Sequence, residues 1–487
     1  MKLRSILAVA VFGRQAFATP AQKLLLTTET TSGQVTGFIN STAPNVRQWL
    51  GIPFAEPPVY SLRFLPPIRK PYSGNLTTTS YQPACLQRTS TEETLYTEYL
   101  PEFLINGGQS EDCLYLNVYS PLNSTSDSLP VLIYIHGGGY TSGGANSLYK
   151  IPDQWIQSTQ SHIVVTISYR LNVFGFPNAE GQYLNVGLLD QRLAVEWIRD
   201  NIASFNGDPD RMVLWGQSAG AGSVGLYSYA YPFDPIVTGF IADSGGATIS
   251  RTPFDDLHTN FTYLAGLAGC VNLEAGKELR CMQEVDGLLL AQLVSNTSSI
   301  DFSPIPDGLT RFFNVTARAE AGLLANLPMI IGNNANEGAS FGTFNASGES
   351  PENYEAGLSA ITCPVASEVK NRLNNGYPTY RYLYSGNFSN ISPLPWVGAA
   401  HSAELPLIFN THWQYRGNST QYEYEVGFAM QDLWLSFARN SSADPTNRYG
   451  FSWPKDQLDG KTMAVFAANG TINQLGSGEE LIDWECF

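Results

Sequence analysis

Positive charge is scarce in this chain. Lysine and arginine number 27 against 43 aspartates and glutamates, a net charge of −16 over 487 residues. A surface of that sign repels phosphate backbones and anionic lipid, which argues against nucleic acid and acidic membranes as partners. Long apolar runs are missing too. Nothing beyond the N-terminus approaches the roughly 18 apolar residues that a membrane-spanning helix needs, so no integral membrane segment is expected. Cysteine is sparse, with six residues and no C-x-x-C, and histidine numbers only five. Without a Cys/His cluster no metal is expected, and an even cysteine count favours disulfides. There is no linker, repeat or low-complexity break, so residues 19–487 read as one domain despite their length. Hydrophobic residues at 43% suffice for a large core.

What is present at the N-terminus reads as a signal peptide over residues 1–18. Lys2 and Arg4 supply the positive region, Ile6 to Phe12 the apolar core, and Ala16-Phe17-Ala18 a small-x-small cleavage site. Sequons occur at Asn40, Asn75, Asn123, Asn260, Asn296, Asn314, Asn345, Asn387, Asn390, Asn418, Asn440 and Asn469. Each alone is weak, but their number suits a secreted glycoprotein.

The chemistry centres on Met212-Val213-Leu214-Trp215 followed by Gly216-Gln217-Ser218-Ala219-Gly220. The apolar residues predict a buried strand, and G-x-S-x-G predicts a sharp turn into a helix. Such a turn exposes the Ser218 hydroxyl beside the positive end of a helix dipole. Upstream, the strand Val131–Ile135 runs into His136-Gly137-Gly138-Gly139. Consecutive glycines let backbone N–H groups point into a cavity, where they can hold an oxyanion. A phosphate cradle is the competing reading, but no Gly-Lys-Ser/Thr follows. Gly138, Gly139 and the N–H of Ala219 are assigned as the oxyanion donors. Strands are also predicted at Val46–Ile52, Ile163–Ile167, Gly239–Ala242 and Pro328–Gly332, with Gly207-Asp208-Pro209 ending the helix that precedes the Ser218 strand. Alternating strands and helices over 130–225 predict an α/β fold with a mostly parallel sheet covered on both faces.

Several stretches resemble the type-B carboxylesterases and lipases, the family that includes the cholinesterases. They are Trp49 to Pro58, Ser110 to Tyr119, Tyr169 to Gln191, and Ser452-Trp453-Pro454. The resemblance implies an α/β-hydrolase fold and a Ser…Glu…His order. Asn333-Asn334-Ala335-Asn336-Glu337-Gly338 resembles the family's acid loop. Gly398-Ala399-Ala400-His401 resembles its histidine loop, so Glu337 and His401 are the expected partners of Ser218. It further implies disulfides Cys85–Cys113 and Cys270–Cys281, an ion pair between Arg63 and Glu111, and Ser244 near the acid. On chemistry alone Arg63 and Glu111 would be solvated. Cys363 and Cys486 are left over, and only arithmetic pairs them.

The expected function is a secreted serine carboxylic-ester hydrolase acting on a small-molecule ester through an acyl-enzyme, without a cofactor. A lipase acting on long-chain acylglycerols is the alternative, as is a silent esterase-like adhesion protein. Two departures from the family bear on substrate. Residues 86–112 lack the tryptophan with which cholinesterases bind choline and offer Tyr96, Tyr99 and Phe103. They also mix Glu92, Glu93, Glu98 and Glu102 among Leu and Tyr, unlike an apolar flap. The residue before the nucleophile, usually Glu in the family, is Gln217. The interval from Glu337 to His401 is shorter than the family norm, which predicts a more open or differently roofed pocket. Oligomeric state and acyl transfer to an alcohol other than water stay open.

Overall fold

The computed structural model describes residues 26–88, 93–124, 126–249 and 254–487. The expected signal peptide over 1–18 and Glu92 lie outside the described residues. Eleven strands form one sheet. In chain order they are β1 Phe38–Ile39, β2 Val46–Pro53, β3 Tyr115–Pro121, β4 Leu129–Ile135, β5 Ile163–Ile167 and β6 Gly207–Gln217. These are followed by β7 Gly239–Asp243, β8 Met329–Asn334, β9 Thr379–Tyr384, β10 Met463–Phe466 and β11 Asn473–Gly476. Their spatial order is β11-β10-β9-β8-β7-β6-β4-β5-β3-β2-β1. Pairings from β5–β4 through β9–β10 are parallel, and the edges are antiparallel. A mostly parallel α/β-hydrolase sheet is therefore what forms.

The alternation of side chains along the central strands builds two cores. Met212 and Leu214 face one core while Val213 and Trp215 face the other. Phe240 and Ala242 are separated from Ile241 in the same way, and Met329 and Ile331 from Ile330. Helices α1 Val186–Asn201, α2 Ala219–Ala230 and α3 Cys363–Asn374 cover the first face through Leu193, Ile198, Val224, Val365 and Val369. Helix α4, Gln421–Arg439, covers the second through Met430, Leu433, Trp434 and Phe437. Thr420 and Glu423 start α4 with a capping box, each side chain satisfying the other's backbone N–H.

Two expectations need correcting. Gly207-Asp208-Pro209 does not merely end the preceding helix. Helix α1 closes at Asn201, a short 3-10 turn Ile202–Phe205 follows, and Gly207 already pairs with Leu129 as the start of β6. The register shift between Gly207 and Met212 absorbs the proline, which cannot donate to the ladder. Arg63 and Glu111 are not solvated either. Arg63 is buried, its Nε and Nη2 each 2.6 Å from a Glu111 oxygen, and its Nη1 donates to the carbonyls of Met282 and Val285.

All six cysteines are paired. Cys85–Cys113 and Cys270–Cys281 form as the resemblance implied, and Cys363–Cys486 ties the C-terminus to α3. Of the sequons, Asn390 is mispredicted as a glycan acceptor. It is buried, and its amide donates to the His412 carbonyl, Ser419 Oγ and Glu423 Oε1, leaving no room or free N–H for a sugar. Asn40 and Asn260 are half-buried and the other nine are exposed.

Candidate active site

The site sits at the carboxyl ends of β6, β7 and β8, where parallel neighbours deliver their last residues side by side. Gln217 pairs with Asp243, and Asp243 with Gly332. Ser218 follows directly, with φ 59° and ψ −124°, a strained conformation for a residue with a Cβ. Its N–H donates to the Asp243 carbonyl at 2.8 Å and its own carbonyl accepts from Gly222 at 2.8 Å, closing the first turn of α2. The turn is sharp enough that a Cβ on Gly220 would lie 2.1 Å from the Ile135 carbonyl oxygen, so only glycine fits there. Ser218 is half-buried, whereas Gln217, Glu337 and His401 are buried.

The expected oxyanion donors come from two directions. Ala219 is the first residue of α2, so its N–H has no acceptor within the helix. Gly138 and Gly139 turn out of β4 with φ of 117° and 62°. A Cβ on Gly138 would collide with the Ser142 carbonyl. His136 anchors this loop: its ring stacks on Tyr169 at 4.6 Å, and Tyr169 Oη donates to its carbonyl. Burial lowers the His136 pKa to about 3, so this histidine is neutral and structural.

The structure brings Glu337 and His401 together across 64 residues. Glu337 Oε2 is 2.5 Å from His401 Nδ1. Its other oxygen, Oε1, accepts from Ser244 Oγ and from the Asn334 N–H, both at 2.7 Å. Ser244 thus lies where the resemblance implied. On the other side of the ring, Gln217 Nε2 is 3.1 Å from His401 Nε2. Phe341 packs on the His401 ring at 5.1 Å, and Tyr96 Oη donates to the His401 carbonyl at 2.7 Å. Tyr96, whose pKa burial raises to about 12, stays protonated as a donor. Between acid and base, Phe344 crosses to the first disulfide loop and meets Tyr99 and Trp396.

Sequence reasoning did not single out the buried carboxylates Asp243 and Glu404. Asp243 accepts from Trp215 Nε1 and Tyr382 Oη, and Glu404 accepts from Asn334 Nδ2. Burial raises both pKa values, and Asp243 raises that of Glu404 further. The spacing of Glu404 three residues past His401 was the available signal. Among the described residues no cluster of metal-ligating side chains occurs.

A serine on a strained turn, a buried His–Glu pair and a glycine loop are the parts that acyl transfer requires. The model of the carboxylesterase family matches residues 22–360 and 355–476. The chain is 52% identical to a chlorogenic acid esterase of Aspergillus niger over 94% of each chain. It is 39% identical to secreted lipase 5 of Gibberella zeae, over 95% of this chain and 94% of the lipase. To an acetylcholinesterase of Bungarus fasciatus it is 30% identical, over 84% of this chain and 77% of the relative. The chain belongs to the carboxylesterase family, whose members named here are carboxylic ester hydrolases.

Proposed function

We propose that this protein is a secreted serine carboxylic-ester hydrolase, a single domain over residues 19–487 after removal of residues 1–18. Ser218 is the nucleophile, His401 the general base and Glu337 its partner. The observation that carries the reading is the buried Glu337–His401 hydrogen bond beside the strained Ser218 turn. His401 Nε2 takes the Ser218 proton as Oγ attacks the ester carbonyl, and Glu337 stabilises the imidazolium. The N–H groups of Gly138, Gly139 and Ala219 hold the oxyanion, a contribution of about 2.7–4 kcal/mol per donor in comparable sites. The C–O bond then breaks, the alcohol leaves with the proton from His401, and water repeats the sequence on the acyl-enzyme. The cycle calls on no metal or cofactor. Secretion is supported by the disulfides and the exposed sequons.

For the substrate class we favour an ester of an aromatic acid, as in the name of the Aspergillus niger relative. Phe341 packs on the His401 ring, and Tyr96, which carries Phe103 against its own ring, reaches the His401 carbonyl, an aromatic neighbourhood suited to a flat acyl group. Lipase action is the second reading, favoured by the Gibberella zeae relative and by exposed Leu257, Leu288, Leu309 and Phe313. The test is hydrolysis of chlorogenic acid and of p-nitrophenyl esters of increasing chain length, with Ser218→Ala as control. Chlorogenic acid turnover that vanishes in the control supports the first reading. A maximum at long chains above the solubility limit moves the answer to lipase. No turnover by folded protein on any ester leaves a silent binding protein.

A further inference from the structure

Gln217 touches the acid–base pair but has no task in the cycle above. Its amide nitrogen meets His401 Nε2 at 3.1 Å in a buried setting. Glu337 on Nδ1 fixes that nitrogen as the protonated one, so in the neutral ring Nε2 carries the lone pair. The Gln217 N–H therefore donates to the same lone pair that must take the Ser218 proton. The opposite end of the amide points to the glycine loop: a Cβ built on Gly137 would lie 2.8 Å from Gln217 Oε1.

An imidazolium needs the reverse partner, because its Nε2 becomes a donor. A carboxamide can serve both states, since half a turn exchanges its N–H for its carbonyl oxygen without any change of charge. A carboxylate can only accept, and it would add a second anion that favours the charged ring.

We propose that Gln217 is a positioning residue for His401. In the resting enzyme it holds the neutral ring through Nε2, and it yields that lone pair to Ser218 Oγ–H when an ester is seated. After proton transfer its turned amide accepts from the imidazolium N–H until that proton leaves with the alcohol. Gln217 gains and loses no proton. The inference rests on the Ser218–His401–Glu337 reading.

The charged and titratable groups facing His401 are few. Glu337 and Gln217 hold the ring nitrogens, Tyr96 donates to the backbone carbonyl, and Glu404 lies three residues on, bound to Asn334. Phe341 covers a ring face. Glu404 in turn interacts with Lys150 and Asp243. A charge at position 217 would thus be the nearest new influence on the base.

The experiment compares pH profiles of kcat/KM on p-nitrophenyl acetate for the wild type, Gln217→Glu and Gln217→Met. The Glu variant is expected to move the acid limb up by about one pH unit, a tenfold loss below it, because an adjacent anion favours the imidazolium. The Met variant, of similar volume, is expected to leave the limb in place and lower kcat roughly tenfold, the effect of one lost hydrogen bond near the reacting proton. If the Glu variant does not fold, the kcat of the Met variant decides alone. Coincident wild-type and Glu limbs, or a Met variant with full kcat, overturn the inference. A p-nitrophenyl phosphonate that releases one equivalent of p-nitrophenolate from the wild type checks the underlying reading. Failure of that burst sinks the hydrolase proposal itself, whereas a normal burst with coincident limbs sinks only the role of Gln217.

Discussion

Ser218 and the Glu337–His401 pair occupy one site but are held by different means. Ser218 is placed by backbone alone: a strand end, a hydrogen bond to the Asp243 carbonyl and the first turn of α2. Glu337 and His401 lie on loops past strand ends, and side chains from distant segments fix them. Ser244, Asn334, Tyr96, Phe341 and Gln217 converge from five places in the sequence. The proposed nucleophile is thus a local construction, while the proposed acid–base pair is a tertiary one. A local construction should fail all at once, and a tertiary one in graded steps.

Ser218→Ala breaks the comparison most severely. Removing the nucleophile of such a triad is expected to lower kcat about 10⁶-fold, with the melting temperature little changed, because alanine keeps a Cβ on the same strained turn. Glu337→Gln should lower kcat about 10⁴-fold, because the amide favours the wrong imidazole tautomer. Ser244→Ala removes one of three hydrogen bonds to Glu337 and should cost about tenfold in kcat, the equivalent of a hydrogen bond to a charged group at about 1.5 kcal/mol. That graded descent from nucleophile to outer support, measured with one substrate at one pH, is what separates the two constructions. Similar losses at Ser218 and Ser244 would erase the distinction.

A smaller effect sharpens it. Asp243 belongs to the local construction through its carbonyl and to the tertiary one through its carboxyl. Burial raises its pKa and that of Glu404 above the usual carboxylate range, so the folded protein binds protons that the unfolded chain releases above about pH 4. Stability from these groups is therefore complete at low pH and is lost as pH rises through their folded pKa values. Asp243→Asn removes one such proton. Its melting temperature should fall less steeply than that of the wild type between about pH 4 and 7. A steeper fall would contradict the assigned direction.

The same contrast governs what the sequence discloses. The Ser218 turn is legible because its geometry demands glycines at fixed spacing, and Gly220 against the Ile135 carbonyl shows why. The central strands are legible as continuous apolar runs because both of their faces are buried, one in each core. Glu337 and His401 were found through chain order and resemblance, since neither residue carries a local mark of its role. Tyr96, Asp243 and Glu404 carry none either, and their work appears only after folding brings sheet, loop and helix together. The burial of Arg63 escaped for the same reason: its carbonyl partners Met282 and Val285 are more than two hundred residues away. Asn390 satisfies a sequon, yet its amide is consumed by contacts that no tripeptide reveals.

The Cys363–Cys486 bridge encloses a covalent ring that contains His401. A protease that nicks any exposed loop between these two cysteines opens the chain but does not free a fragment. The histidine stays attached to the part that carries Ser218, and the cut is visible only after reduction. By loop-closure entropy, joining residues 123 positions apart restrains the unfolded chain by about 5 kcal/mol, more than either shorter bridge provides. For a protein proposed to work outside the cell, that ring is a form of damage tolerance located around its proposed catalytic base.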